Sequence, residues 1–303
     1  MAYLTFYWKI IKNSVAHFIS KGALTRSAAL SYYTIFSLPP MLLIVLKTAA
    51  GFYDEQRVKA AIFNEMGNLV GQNGAQQLLD TIDRLHIFEP NWWATAVGAG
   101  FLVFTATTVF ITMQDALNAI FSVKADQLRG SGLLKMVRDR VVSFALLISM
   151  AFILLVSLLV DTLLSVFNNY LEAWLGVFST FLVTATSYLL SLAVITVLFG
   201  LIFKFLPDVK LRWRDTWVGA ITTAILFSLG KYLIGFYIGN SRVASFYDAA
   251  GSVLVVMLWV YYASAIFLFG ATFTYVRALE KNHRVRPADY AVRIEQKEIP
   301  LPE

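Results

Sequence analysis

Residues 175–206 read LGVFSTFLVTATSYLLSLAVITVLFGLIFKFL, and no charged side chain interrupts them before Lys204. A helix rising 1.5 Å per residue crosses the roughly 30 Å hydrocarbon core of a bilayer in about 20 residues, so this stretch can span it and still tilt or emerge as helix. Working outward, five more apolar stretches of comparable character lie at 28–50, 92–113, 141–167, 217–238 and 251–276. The 303 residues are 58% hydrophobic and 15% charged, with mean hydropathy +0.66, too much apolar surface for one water-soluble core. The expected fold is all-α, a polytopic membrane bundle of about six transmembrane helices.

Orientation follows from the basic residues. Assigning successive loops alternately to two sides puts nineteen Lys and Arg on the side that holds both termini and five on the other, with Lys231 inside a span. Basic loops stay in the cytoplasm, so both termini are expected there. Trp92, Trp93, Trp174, Trp213 and Trp217 lie at span ends, where indole rings favour the headgroup level. The net charge of +6 has its explanation in this topology and in contact with anionic membrane lipids, so no nucleic-acid partner is expected. No cleavable signal is evident, since Lys9, Lys12 and Lys21 interrupt the N-terminal apolar residues.

Residues 1–276 are expected to form a single transmembrane domain. Within it, 3–20 reads as an amphipathic helix on the headgroups, with Tyr3, Phe6, Tyr7, Ile10, Ile11, Phe18 and Ile19 opposite Lys9 and Lys12. The outer loop 51–91 has the pattern of two short helices separated near Gly71 and Gly74. Residues 277–303 are charged, contain Pro287, Pro300 and Pro302, and read as a partly disordered cytoplasmic tail.

Chemistry is sparse. There is no cysteine, and His17, His86 and His283 are isolated in sequence, so neither thiolate chemistry nor a metal hydrolase is expected. No nucleotide-binding loop is present, and neither an enzyme nor a cofactor is anticipated.

The most unusual segment is 27–40, SAALSYYTIFSLPP, which sets hydroxyls at Ser31, Tyr32, Tyr33, Thr34 and Ser37 before Pro39 and Pro40. Two consecutive prolines remove two backbone donors and are expected to bend or break the first span. The result is either a kink satisfied by neighbouring hydroxyls or a broken helix lining a substrate path.

This segment resembles the signature of the YihY/BrkB family of bacterial inner-membrane proteins, long labelled ribonuclease BN. Further stretches are similar to the family's later motifs in order: Phe205-Leu-Pro-Asp208, Trp213-Arg-Asp-Thr-Trp217 with Gly219-Ala220, Gly230-Lys231-Tyr232, Leu258-Trp-Val-Tyr-Tyr262 and Gly270-Ala271. Two places depart from the pattern. Thr272 stands where the family usually has Glu, and Tyr247-Asp-Ala-Ala-Gly251 replaces a more Gly-rich run. The resemblance implies a six-helix protein of the bacterial inner membrane with transport or envelope-related roles.

Ionisable residues inside spans are costly, roughly 2.5–3.5 kcal/mol at mid-helix, and so mark candidate sites. Lys231 lies roughly 21 Å and Asp161 roughly 30 Å from the cytoplasmic ends of their helices, at 1.5 Å per residue. They form either a functional pair or a snorkelling lysine and a solvated carboxylate. A substrate path lined by Tyr32, Tyr33, Ser37, Pro39, Pro40, Asp161, Lys231, Tyr261 and Tyr262 is one expectation; Arg242 and Asp248 could gate its outer end. Thr108 and Thr112, among other span hydroxyls, are expected to bond between helices. Function divides between a transporter of an unknown amphipathic or anionic small-molecule or lipid substrate and a membrane scaffold for envelope assembly. The scaffold would use the Gly235–Gly239 pair, and a homo-oligomer stays open.

Overall fold

In the computed structural model, the described residues are 2–50, 92–125, 177–240, 248–281, 283 and 285–295, with isolated helical positions between 56 and 79. Six helices dominate them: α1 (Ala2–Ser20), α2 (Ala23–Ala50), α3 (Trp92–Ile120), α4 (Val177–Phe205), α5 (Trp213–Asn240) and α6 (Asp248–Glu280). Four short strands accompany these: β1 (Val123–Ala125), β2 (Val209–Lys210), β3 (Arg286–Pro287) and β4 (Ala291–Arg293). The expected span 141–167 and nearly all of the outer loop lie outside the described residues.

Two compact units, interleaved in sequence, divide what hydropathy reads as one membrane domain. Unit 1 comprises 1–26, 113–231 and 265–303; unit 2 comprises 27–112 and 232–264.

Unit 1 is built around aromatic packing. Phe203 of α4 stacks on Phe267 of α6 at 5.4 Å, and Phe199 meets Phe227 of α5 edge-on at 5.8 Å. Tyr275 bridges His17 and Phe121, with centroids 5.1 and 5.6 Å away. Helices α5 and α6 approach closely at two points, where Gly219 faces Thr274 and Gly270 faces Thr223. The residue pairing runs in opposite directions along the two helices, as antiparallel packing requires. Each threonine is fully buried and returns its hydroxyl to its own helix, Thr223 to Gly219 O at 2.7 Å and Thr274 to Gly270 O at 2.8 Å.

That habit corrects one expectation. Thr108 and Thr112 bond Phe104 O and Thr108 O, four residues back on their own helix, and not a neighbouring one. An i−4 carbonyl is always within reach of a helical threonine, whereas a partner helix must supply an acceptor at the right height. Thr272, at the position of the expected family Glu, behaves the same way, fully buried and bonded to Leu268 O.

Four segments far apart in sequence meet in unit 1. The end of α1 docks beside the end of α3, with His17 Nε2 2.9 Å from Ile120 O. Lys9 and Asn13 of α1 both reach Glu280 at the end of α6, at 2.8 and 2.9 Å. Strand β1 pairs antiparallel with β4, Lys124 opposite Val292, and β2 pairs with β3, Val209 opposite Pro287. Within the tail, 286–287 and 291–293 are thus held by non-local strand pairing, which no local periodicity announces. Ser122 adopts a left-handed backbone (φ 54°) that turns the chain out of α3 into β1, and its carbonyl accepts from Ile294 N at 2.8 Å.

Helix α1 has two apolar faces where one was expected. Ile10 and Ser14 are fully buried within unit 1, while Trp8, Ile11, Val15 and Ile19 are exposed.

In unit 2, Ser31 is buried and donates to Met257 O of α6 at 2.7 Å. The apolar side chains Val97, Phe101, Phe104 and Ile111 form an exposed row along α3. Two helical segments among the described residues, Ala185–Phe205 and Val256–Glu280, are long and apolar enough to cross a membrane.

Candidate functional site

Polar chemistry gathers where the four segments of unit 1 meet, around two buried carboxylates, Asp208 and Asp215. Pro207 cannot continue α4, so the chain turns and the next residue, Asp208, is set down against α3. On α3, Gln114 and Asn118 are four residues apart and share a face. Gln114 Nε2 donates to Asp208 Oδ1 at 3.1 Å and Asn118 Nδ2 to Oδ2 at 2.9 Å, while Asn118 Oδ1 accepts from the Asp208 backbone N–H at 2.8 Å. From the tail, Tyr290 O–H donates to Oδ1 at 3.0 Å, and Ala288 N–H to the Asp208 carbonyl at 2.9 Å.

Asp215 sits in the first turn of α5, where the helix dipole favours an anion. Its oxygens face Arg277 Nη1 at 2.6 Å and His283 Nδ1 at 2.7 Å. A carboxylate only accepts, so His283 Nδ1 carries the proton in this contact. Arg277 is itself buried. The arrangement therefore holds a carboxylate, a guanidinium and an imidazole in fixed orientation and ties α5, α6 and the tail together.

His17 ties α1 to α3. Burial pushes its pKa below the ordinary 6.5; the Ile120 carbonyl opposes this and Lys21 adds to it. The neutral ring with Nε2–H donating to Ile120 O is the form that fits. A folded pKa below the unfolded one means stability is held above about pH 6.5 and declines as pH falls through the interval down to the lowered value. We expect Tm to drop on acidification below about pH 6.5, with up to about one proton taken up on unfolding, and His17→Gln to flatten that slope. A slope unchanged in the variant would show that other groups carry it.

The residues read from sequence as a substrate path are distributed differently. Helix α2 runs without interruption from Ala23 to Ala50, through Pro39 and Pro40, so the first span is not broken there. The prolines deprive only the Ile35 and Phe36 carbonyls of their donors, whereas unwinding would expose many more backbone groups to lipid. Ser37 Oγ donates to Thr34 O at 2.6 Å on the same turn. Tyr32 and Tyr33 are exposed and edge-to-face with each other at 5.6 Å, and Tyr32 also contacts Phe36 at 4.7 Å. Tyr261 and Tyr262 of α6 are half-buried, and Lys231 is exposed on α5. Asp161 and Arg242 lie outside the described residues, as does the side chain of Asp248, which begins α6. The Asp161–Lys231 and Arg242–Asp248 pairs therefore lie outside them too. Among the described residues no group of three or more His, Asp or Glu gathers as a metal site would require.

Sequence reasoning quoted Asp208 and Asp215 only inside family motifs. The signal was present: each is an acid set among apolar and aromatic neighbours, Phe205-Leu-Pro-Asp208 and Trp213-Arg-Asp-Thr-Trp217. What was hidden is the partners, 62 to 94 residues away.

Comparison with known proteins follows the same span of chain. A family model described as virulence factor BrkB matches residues 14–295. A UPF0761 membrane protein of Ralstonia nicotianae is 28% identical over 254 residues, covering 81% of this chain and 53% of the relative. Similar proteins of the same description occur in Saccharophagus degradans, 28% identical over 89% of this chain and 59% of the relative, and in Pseudomonas aeruginosa, 28% identical over 85% and 60%. The chain thus spans a little over half the length of these relatives. No solved structure matches it.

Proposed function

The chain belongs to the BrkB family of membrane proteins, and on that premise we propose a multi-pass translocator of the bacterial inner membrane, carrying an amphipathic or anionic envelope-related substrate across six spans with both termini cytoplasmic. The topology is supported by the meeting of α1, β1, β2 and the tail at one place in unit 1. Each interval between one of these segments and the next holds two apolar stretches: 28–50 with 92–113, 141–167 with 175–206, and 217–238 with 251–276. The inter-span stretches that contain these four segments carry nineteen of the 25 basic residues, which favours the cytoplasmic side.

Translocation rests on one observation, the two-sided character of α2 between Ser31 and Ser37. Ser31 anchors the helix to α6, while Tyr32, Tyr33 and Phe36 present an exposed aromatic and hydroxyl surface. Such side chains suit a substrate with an apolar body and a polar end. The naturally cysteine-free chain makes the test direct. Single cysteines at Tyr33 and Ser37 should react with a membrane-impermeant maleimide in proteoliposomes, while Ser31→Cys stays protected. Uniform protection would remove the water-accessible path and leave a scaffold as the better account.

A further inference from the structure

The start of α5 carries a surface that neither the buried knot nor the translocation reading uses. Arg212, Trp213 and Arg214 are all exposed, and neither guanidinium has a partner among the described residues. The acid nearest in sequence, Asp215, is turned inward and engaged by Arg277 and His283, so it does not neutralise them. Lys210, the other base of this loop, is already paired with Asp289 at 2.6 Å. Trp213 and Trp217 stack at 6.2 Å, Phe205 meets Trp213 edge-on at 5.9 Å, and Lys204 Nζ lies 5.2 Å from the Trp213 ring centroid while donating to Leu211 O.

Beneath this platform the same face of α5 is apolar. Trp217, Ile221, Ile225 and Leu229 follow at four-residue intervals and are 38–57% exposed. From Trp217 to Leu229 the helix rises about 18 Å, comparable to the roughly 15 Å half-thickness of a hydrocarbon core. Unpaired cations, stacked indoles and an apolar stripe one leaflet long follow one another in the order of a phospholipid's own parts.

We propose that this face binds an anionic phospholipid of the surrounding leaflet, its phosphate held by Arg212 and Arg214, its ester region against Trp213 and Trp217, and an acyl chain along Ile221, Ile225 and Leu229. Guanidinium groups favour phosphate through paired N–H donors, and indole rings favour the ester level of the bilayer. A zwitterionic lipid offers the same phosphate with a cation beside it, and that cation would meet Arg212, Arg214 and Lys204. Selection for net negative charge follows. The site stands whether or not the protein translocates anything.

The test uses the full chain in mild detergent, with phosphatidylglycerol and phosphatidylcholine as competing probes and native mass spectrometry as the readout. The wild type should retain phosphatidylglycerol preferentially. The R212Q/R214Q variant should lose that preference by up to roughly 30-fold, since each basic residue near an anionic headgroup contributes about fivefold. Its Tm without added lipid should stay at the wild-type value, because both side chains are exposed and unpaired. R212K/R214K should recover part of the preference, keeping charge without the planar fork. Equal retention of the two lipids by the wild type overturns the proposal without reference to any variant. An undiminished preference in R212Q/R214Q overturns it equally.

Discussion

Gly219→Ala and Gly270→Ala are each expected to prevent accumulation of folded protein, although alanine is the better helix former by about 0.8–1.0 kcal/mol. A Cβ on Gly219 would stand 2.8 Å from Thr274 Cβ, and one on Gly270 would stand 2.8 Å from Thr223 Cβ, with each threonine's hydroxyl closer still. Those threonines are fully buried, and their hydroxyls are committed to their own helices. Neither rotation nor a small shift clears the added carbon, so α5 and α6 must separate along their length. Overpacking a close-packed interior costs about 1–3 kcal/mol where the site can adjust, and here the obstructing atoms include a threonine Cβ fixed directly to its helix. Fluorescence-detected size-exclusion chromatography of the solubilised protein should show loss of the monodisperse peak for either variant. Gly219→Ala combined with Thr274→Gly should recover part of it, because the second change returns the volume taken by the first. A single variant that accumulates with unchanged Tm would show that the helices do not meet at these glycines.

Asp215→Ala should be nearly as damaging. It leaves the Arg277 guanidinium, 7% exposed, without its partner 2.6 Å away, and it frees His283. Removing one member of a buried ion pair costs about 3–5 kcal/mol, because the remaining charge stays desolvated. The expected readouts are a large fall in Tm and protease cleavage within 283–295, the segment that His283 helps to hold down. Asp215→Leu with Arg277→Met should regain much of the loss, since an apolar pair of similar volume needs no charge compensation. Full wild-type stability in Asp215→Ala would mean that the contact contributes nothing in solution.

Much of the architecture could be read from residue types alone because lipid imposes a simple rule on a chain. Long apolar stretches must be helix, and basic loops collect on one side. The apolar stretches 28–50, 92–113, 175–206, 217–238 and 251–276 fall on α2, α3, α4, α5 and α6. The interior of the meeting point in unit 1 was not legible. Asp208 is held by Asn118 and Gln114, more than 80 residues upstream, and by Tyr290, 82 residues downstream. No local pattern records such spacing. At the double proline, one of the two expectations is excluded: the helix is not broken. Pro39 and Pro40 are strong helix breakers in water, where freed carbonyls find solvent, but in an apolar surrounding the remaining bonds of α2 are harder to give up. Lys231, expected inside a span, is exposed on α5.

The bond between Lys9 and Glu280 joins residues 271 apart, and the clasp on Asp208 waits for Tyr290. A ribosome delivers these partners in order, so Lys9, Asp208 and Asp215 each emerge before at least one group that binds them. Until 277–290 is made, Asp215 has neither Arg277 nor His283, Asp208 lacks Tyr290, and Lys9 and Asn13 lack Glu280. Emergence of 277–290 supplies all four of these partners within one short stretch of chain, which makes that stretch the step that separates a closed unit 1 from one open to quality-control proteases.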